Sequence, residues 1–401
     1  MKNIVAHSLM FVLIFFIFIP SLILSCGRVS QRNTEKKSDN LKAVSDTFNS
    51  STNSKIDSIS NGFIVPVGSM GTARAAHTAT LLKNGTVLIG GGFAGSALSS
   101  AEIYNPTSQV FKNVGQMSVA RAGHSATLLP DGKVLIAGGY NGNYLSSTEI
   151  FNPQTQTFSA GPIMNSPRSG HTATLLNNGK ILFAGGVGIG WSFLESAELY
   201  GIQTKTFSST ASMTTARESH TATLLKNGNV LITGGHKNRR TDIKIYSSTE
   251  MYDPISGKFR LIGNMTKIRH KHDAVMLADG RVLINGGSDE RDSRGAYSSA
   301  ELYDPVSSSF KPVKNMNLTR YKHNGTSILL TNNSVLIAGG ANRAEMYNPK
   351  SGEFTIITGT MGTQRLFSCA TLLSNGQVLI TGGYNENQEA SANAWIYIYK
   401  K

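Results

Sequence analysis

Seven arginines recur at intervals of about 50 residues, each just before a string similar to His-Thr-Ala-Thr-Leu-Leu. A guanidinium group binds a carboxylate through two parallel hydrogen bonds. Arginines that face one surface would therefore form a site for an acidic ligand. Arginines that each pair with a glutamate of their own repeat, or cap strand-end carbonyl groups, would instead be structural. The residues are Arg74, Arg121, Arg168, Arg217, Arg269, Arg320 and Arg365.

Six repeats also contain a histidine, namely His77, His124, His171, His220, His272 and His323. A metal ion needs three or four ligands within about 2.0–2.2 Å, and one histidine per repeat cannot converge so closely. We therefore predict neither a metal nor another cofactor. The seventh repeat has Ser368 in place of histidine, and Trp395 where the others have a glutamate. This shared loss predicts a buried histidine–glutamate contact, with or without the arginine.

Two segments depart from the repeat. Trp191 and Phe193 occupy one of them, where they could stack on a sugar, contact a protein, or fold back over their own Gly-rich loop. The next such segment carries Lys237, Arg239 and Arg240, which indicate either an electrostatic patch for an anionic partner or a solvated loop.

Each repeat is predicted to form four short strands, here called a to d. The His-Thr-Ala-Thr-Leu-Leu string is strand a, Val-Leu-Ile-x-Gly-Gly is strand b, Ala-Glu-Ile-Tyr-Asn-Pro is strand c, and a Phe lies in strand d. Asn-Gly and Asp-Gly pairs join a to b, because a tight hairpin needs positive φ. In an antiparallel sheet the d–a and b–c loops share one face, and the b–c loops vary most, so we expect binding there.

This pattern, with its paired glycines, Tyr and terminal aromatic, resembles the kelch repeat. The resemblance covers 63–399 and implies an all-β fold: a seven-bladed kelch β-propeller with four antiparallel strands per blade. In some kelch adaptor proteins, arginines at this position grip acidic peptides. The segment at 63–67 matches strand d, and the chain ends on a strand c at 395–399. We therefore predict that an N-terminal strand closes the last blade, which makes 63–401 one domain.

Some kelch propellers are enzymes, including copper radical oxidases and sialic acid mutarotases. The oxidases use a Cys–Tyr crosslink, for which Cys369 is the candidate thiol here. No Ser/His/Asp signature, HExxH string or phosphate loop is present in the sequence. An enzyme is the alternative to a non-catalytic binding module, and a purely structural envelope protein is a third interpretation.

Composition favours a binding protein with an anionic partner. The net charge is +14 and 41 of the 401 residues are glycine, which argues against a helical bundle. The chain begins with Lys2, an apolar run at 8–24 and then Cys26, a pattern similar to a bacterial lipobox. We therefore predict a signal peptide at 1–26 with lipidation at Cys26, or alternatively an uncleaved anchor helix. A flexible polar linker at 27–62 follows.

These features predict an exported, monomeric protein of the bacterial cell envelope, attached to the membrane by lipid. We expect a protein or glycan partner of acidic character and no nucleic acid, because the chain leaves the cytoplasm.

Overall fold

A computed structural model describes residues 61–399. The predicted signal peptide, Cys26 and the linker up to residue 60 lie outside the described residues.

Seven four-stranded antiparallel sheets follow one another along the described chain. Strand a is Thr78–Leu81, Ser125–Leu128, Thr172–Leu175, Thr221–Leu224, Asp273–Met276, Ser327–Leu329 and Cys369–Leu372. Strand b is Val87–Gly90, Val134–Ala137, Lys180–Ala184, Val230–Thr233, Val282–Asn285, Val335–Ile337 and Val378–Thr381. Each b strand is almost completely buried, as expected for a run of β-branched and leucine side chains at the centre of a sheet.

The outer strands complete each sheet. Strand c is Ala101–Asn105, Thr148–Asn152, Ala197–Gly201, Ser248–Asp253, Ala300–Asp304, Glu345–Asn348 and Ala394–Ile398. Strand d is Val110–Asn113, Thr157–Ala160, Thr206–Ser209, Lys258–Asn264, Ser309–Pro312, Glu353–Ile356 and, for the last sheet, Phe63–Pro66.

The sheets are the blades of a seven-bladed β-propeller. Each strand a contacts strand a of both neighbouring blades, and the first contacts the seventh, so these strands form the innermost ring. The N-terminal strand pairs antiparallel with the last one, with Ile64 opposite Tyr397 and Val65 opposite Ile396. The predicted closure is therefore confirmed, and it leaves no unpaired edge at the point where the ring joins.

Hydrophobic side chains fill the space between adjacent blades. In each cluster, strand-b and strand-c residues of one blade meet those of the next. A buried Met stands four residues before each arginine, and a Tyr or Phe of strand c stacks on the Phe of strand d in six blades. These contacts repeat with the sequence, which explains why the blades are nearly identical.

The d–a and b–c loops together form what we call the upper face. Short 3-10 turns interrupt three b–c loops, at Ile189–Trp191, Arg240–Asp242 and Asp292–Gly295. The fourth b–c loop adds a small hairpin that pairs His236–Lys237 with Lys244–Ile245. Between residues 61 and 399, no helix has the length and apolar character needed to cross a bilayer.

Candidate functional site

The seven repeated arginines are buried, between 0% and 7% exposed. In six blades the guanidinium lies 2.7–3.0 Å from the strand-c glutamate of the same blade. Its other nitrogen donates to the carbonyl of a glycine at the end of strand b, as Arg74 does to Gly91 at 2.8 Å. The glutamate also accepts from backbone N–H groups that precede the arginine, such as Gly71.

These contacts correct the binding interpretation of the arginines. A partner on the upper face cannot reach a guanidinium that is enclosed and already bonded to a carboxylate and to carbonyl oxygens. The pairing with glutamate and strand-end carbonyls, the second interpretation of the sequence, describes Arg74, Arg121, Arg168, Arg217, Arg269 and Arg320. Arg365 has no glutamate and lies over the Trp395 ring instead, 5.0 Å from its centroid.

The predicted histidine–glutamate contact is wrong, because the glutamate is taken by the arginine. Five histidines instead bond to hydroxyl groups of the preceding blade. For example, His124 Nε2 lies 3.1 Å from Thr78 Oγ1, and His77 Nε2 lies 2.9 Å from Thr381 Oγ1 of the last blade. Burial, reinforced by the adjacent arginine, lowers the pKa of both imidazoles to about 3, so they are neutral. These histidines hold blades together.

The residue directly before each histidine, or before Ser368, lies at the mouth of the central channel. We call these seven the mouth residues: Ala76, Gly123, Gly170, Ser219, Lys271, Lys322 and Phe367. All have φ between 50° and 65°. Six backbone hydrogen bonds of 2.7–3.2 Å link them in series from blade to blade, as from Lys322 N to Lys271 O. The mouth is therefore a rigid frame that presents one residue per blade.

The side chains on this frame are not symmetric. The first four blades present Ala, Gly, Gly and Ser, whereas the last three present Lys271, Lys322 and Phe367. Both lysines bond to one carboxylate, that of Asp292, at 2.8 Å and 3.5 Å. Burial lowers the pKa of each lysine, and Asp292 opposes that shift. Two ammonium groups that share one carboxylate leave a net positive charge at the mouth.

Aromatic rings surround the second lysine. Lys322 Nζ lies 5.1 Å from the ring centroid of Tyr321, 5.5 Å from that of Tyr384 and 5.8 Å from that of Phe367. Attraction to aromatic faces stabilises an ammonium group where little water surrounds it. The group therefore offers an acidic ligand a cation that is already partly desolvated.

A second polar group lies on the adjacent blades. Arg239 donates to Glu218 Oε2 at 2.9 Å, and His236 Nε2 lies 3.5 Å from the same oxygen. His236 also meets His270, with 3.0 Å between their Nδ1 atoms. Burial lowers the pKa of His270 to about 2. Gly170 makes room for this group, because a Cβ there would lie 2.8 Å from Glu218 Oε1.

The loop residues singled out from the sequence separate into two sets. Trp191, Phe193 and Arg239 come together, with the Arg239 guanidinium 4.8 Å and 5.6 Å from the two ring centroids. Lys237 lies in the small hairpin and Arg240 is exposed, and neither joins this cluster.

Sequence reasoning missed the mouth lysines and Glu218, although a signal was present. Two residues separate the repeated arginine from the histidine position, and in the first three repeats they are Ala-Ala, Ala-Gly and Ser-Gly. They become Glu-Ser, His-Lys, Tyr-Lys and Leu-Phe in the last four. The loss of symmetry inside this repeated string is the sequence signal that identifies the mouth lysines and Glu218.

Comparison with known proteins agrees with this architecture. The kelch motif matches residues 73–118 and 120–165, which are the first two repeats. Together with the seven blades, that match decides the family.

The chain is a kelch-repeat β-propeller.

The kelch propeller is similar to Kelch-like protein 23 of Pongo abelii, with 28% identity over 139 residues that cover 34% of this chain and 23% of that protein. It is also similar to Kelch-like protein 23 of Homo sapiens, with 27% identity over 140 residues, 34% of this chain and 24% of that protein. The chain spans about a quarter of the length of these curated relatives.

Among solved structures, the kelch propeller is similar to a novel fungal alcohol oxidase of the AA5 family in complex with copper. The TM-score is 0.67, with 15% identity over 84% of this chain and 76% of that chain. At this level of identity the likeness shows the fold alone. Within residues 61–399, no three His, Cys, Asp or Glu side chains lie together as a metal site would need. The Cys369 thiol donates to His77 O, and burial raises its pKa to about 12.

The kelch fold supports a binding or scaffold module. Within its described part, the asymmetric mouth and the aromatic loops of the upper face are among the features that differ from the repeat.

Proposed function

We propose that this kelch propeller is an exported, lipid-anchored binding module that holds an acidic segment of a protein partner at the mouth of its channel. Lys271 and Lys322 would contact the partner's carboxylates, and the aromatic rings around Lys322 would add apolar contact. A kelch fold is compatible with a protein partner, and the acidic character of that partner follows from the charge at the mouth.

The observation that carries the proposal is the pair of lysines sharing Asp292. Their ammonium groups are held on a hydrogen-bonded backbone frame, at 2.8 Å and 3.5 Å from the carboxylate oxygens. A carboxylate of a partner can therefore bind without ordering long, mobile side chains, which lowers the entropic cost of binding. The repeated arginines support the frame but do not contact the partner.

Export and anchoring rest on the sequence of residues 1–26. The apolar run followed by Cys26 is typical of a lipoprotein signal, and the polar linker would let the propeller stand away from the bilayer. We place the protein in the bacterial cell envelope for the same reason. Metabolic labelling with an alkyne fatty acid tests the anchor, since Cys26→Ser would abolish the label.

The binding function is tested by capture from envelope extracts at low and physiological salt. The full-length chain is compared with the double variant Lys271→Ala/Lys322→Ala. A control variant, Lys258→Ala/Lys311→Ala, removes two exposed lysines of outer strands and keeps the same net charge as the test variant. An acidic protein that is retained by the parent and by the control, and lost by the mouth variant and at higher salt, supports the proposal.

Equal capture by all three proteins would place the binding surface elsewhere. Binding that does not depend on salt would contradict the acidic character of the partner. At physiological ionic strength, salt screens exposed charges from each other beyond a Debye length of about 8 Å.

A further inference from the structure

We infer that the upper face carries a second site, an aromatic cleft between the second and third blades that binds a neutral sugar ring of a glycan. Tyr140, Tyr144 and Trp191 line this cleft, which has a volume of about 310 Å³. That volume lies at the lower end of the range for small-ligand sites, roughly 300–1,000 Å³.

The three aromatic rings are arranged as a corner. The Tyr140 and Tyr144 ring centroids are 4.9 Å apart, and the Trp191 ring meets Tyr144 at 5.7 Å and an angle of 87°. A pyranose has an apolar C–H face and a rim of hydroxyl groups. One aromatic face of the corner can stack on the sugar's apolar face while the perpendicular ring closes one side. A compact cleft of about 310 Å³ suits a sugar ring, whereas a proline-rich peptide needs an extended groove.

Polar groups stand at the edge of the corner. The Asn143 side chain is exposed beside the rings, and its amide can both donate to and accept from sugar hydroxyls. Burial raises the pKa of Tyr144, so its hydroxyl stays protonated and is available as a donor. Few polar groups around an aromatic surface are typical of small-ligand pockets.

The charge near the cleft selects a neutral ligand. Arg239 lies over Trp191, yet its charge is balanced by Glu218 at 2.9 Å. The cleft therefore lacks the net positive charge of the mouth, and an acidic sugar gains nothing there. This distinguishes the inference from the proposed acidic partner, since Lys271 and Lys322 do not line the cleft.

The tryptophan is held in a costly backbone conformation. Trp191 has φ 63° and follows Gly190 at φ 65°, inside the 3-10 turn of the third b–c loop. A bulky side chain rarely adopts positive φ, and such strain concentrates at binding sites because the side chain is held there in place. The 3-10 turns of the next two b–c loops hold Arg240 and Asp292 at similar φ, so what distinguishes the third loop is the large aromatic side chain placed at this position.

The first blade supplies a natural comparison. Its b–c loop at 93–100 has the same length as the loop at 140–147 and the same hairpin, with Phe93 bridged to Ala97 as Tyr140 is to Tyr144. Ser96 and Ala97 stand where the second blade has Asn143 and Tyr144. The variant Asn143→Ser/Tyr144→Ala therefore keeps a backbone that this fold already uses, while it removes one ring of the corner and the amide beside it.

Intrinsic fluorescence reads out the site directly. The chain has two tryptophans, Trp191 in the cleft and Trp395, which is 4% exposed in the last blade. The full-length protein is titrated with cellotriose, chitotriose, maltotriose and a proline-rich decapeptide. We expect at least one trisaccharide to give a saturable change in emission, with the peptide inert.

Variants decide whether the signal comes from the cleft. The Asn143→Ser/Tyr144→Ala variant should bind the active trisaccharide at least about tenfold more weakly. A loss of this size is expected when one aromatic stacking contact is removed. Lys271→Ala/Lys322→Ala should bind it like the parent. Calorimetry on Trp191→Phe checks that affinity falls when the larger ring is lost. No saturable response to any trisaccharide, equal binding by the loop variant, or binding of the peptide instead would each overturn the inference.

Discussion

Arg365 lies over the ring of Trp395, 5.0 Å from its centroid, at the place where six blades hold an arginine–glutamate ion pair. The last blade is the one completed by the N-terminal strand, and it has lost both the glutamate and the histidine. An arginine can satisfy this position with an aromatic face as well as with a carboxylate. The position is thus part of the frame in every blade, whatever partner the arginine uses.

Removing the carboxylate from one buried pair should destabilise the propeller strongly. Glu149→Ala leaves Arg121 buried without its counter-ion, and we expect a loss of about 3–5 kcal/mol in the free energy of unfolding. Denaturant titration of the non-lipidated Cys26→Ser chain measures it. The control is Glu353→Ala, which breaks an exposed pair with Lys314 and should change the stability far less, because solvent screens that pair. Similar losses for the two variants would contradict the structural role of the repeated arginines.

Stability should fall in acid because the inter-blade histidines are neutral in the fold. Burial lowers the pKa of His77, His124 and His220 to about 3, against 6.5 ordinarily. Between these values only the unfolded chain binds the protons, so their contribution is full above pH 6.5 and is lost towards pH 3. At pH 5 the loss is roughly 2 kcal/mol per histidine.

The free energy of unfolding measured at pH 7.5 and pH 5 checks this. Acidification should lower it less in His124→Gln than in the parent. Thr78→Val, which removes the hydroxyl partner but keeps the imidazole, should be less stable at both pH values with the parent's pH dependence. A His124→Gln chain with the parent's pH dependence would show that the fold does not lower the pKa of this imidazole.

The closing strand should carry a large share of the stability of the last blade. Ile64 is 4% exposed and packs in the cluster between the sixth and seventh blades, so Ile64→Ala should cost about 2–5 kcal/mol. Val65 is its half-buried neighbour on the same strand, and Val65→Ala should lower the stability clearly less. Thermal unfolding compares the two, and equal losses would mean that packing of Ile64 between the blades is not the main contribution of this strand.

Neutralising Asp292 should strengthen the binding of an acidic partner. Asp292→Asn releases Lys271 and Lys322 from their shared carboxylate, and we expect roughly threefold tighter binding at low salt. Asp242→Asn, an exposed change on the neighbouring b–c loop, controls for net charge alone. If both variants gain the same affinity, the effect comes from long-range attraction by the net charge and not from release of the two lysines.

Cys369 should be inert in the folded protein. The residue is partly exposed, but its thiol lies against the first blade, donates to His77 O, and has a pKa raised by burial to about 12. In a Cys26→Ser background, a maleimide at pH 7.5 should therefore label it only after denaturation, because the thiolate is the reactive form. Rapid labelling of the native chain would contradict this burial and reopen a chemical role for the thiol.

The sequence alone determined the architecture, because every repeat contains the same turn residues and the same pattern of apolar strands. The Asn-Gly turns, the paired glycines and the apolar b strands predict four strands per unit, and units that cannot bury both faces alone must stack. The match of 63–67 to a strand d was enough to predict closure, which the pairing of Ile64 with Tyr397 confirms.

Tertiary structure decided which residues are free to act. Repetition identifies Arg74 and its equivalents but cannot say whether a guanidinium points to solvent or to Glu102, since both satisfy the same spacing. The link between Lys271 and Asp292 joins a d–a loop to a b–c loop 21 residues away, and no periodicity encodes that distance. The cleft likewise exists only because two loops from different blades bring Tyr144 and Trp191 together.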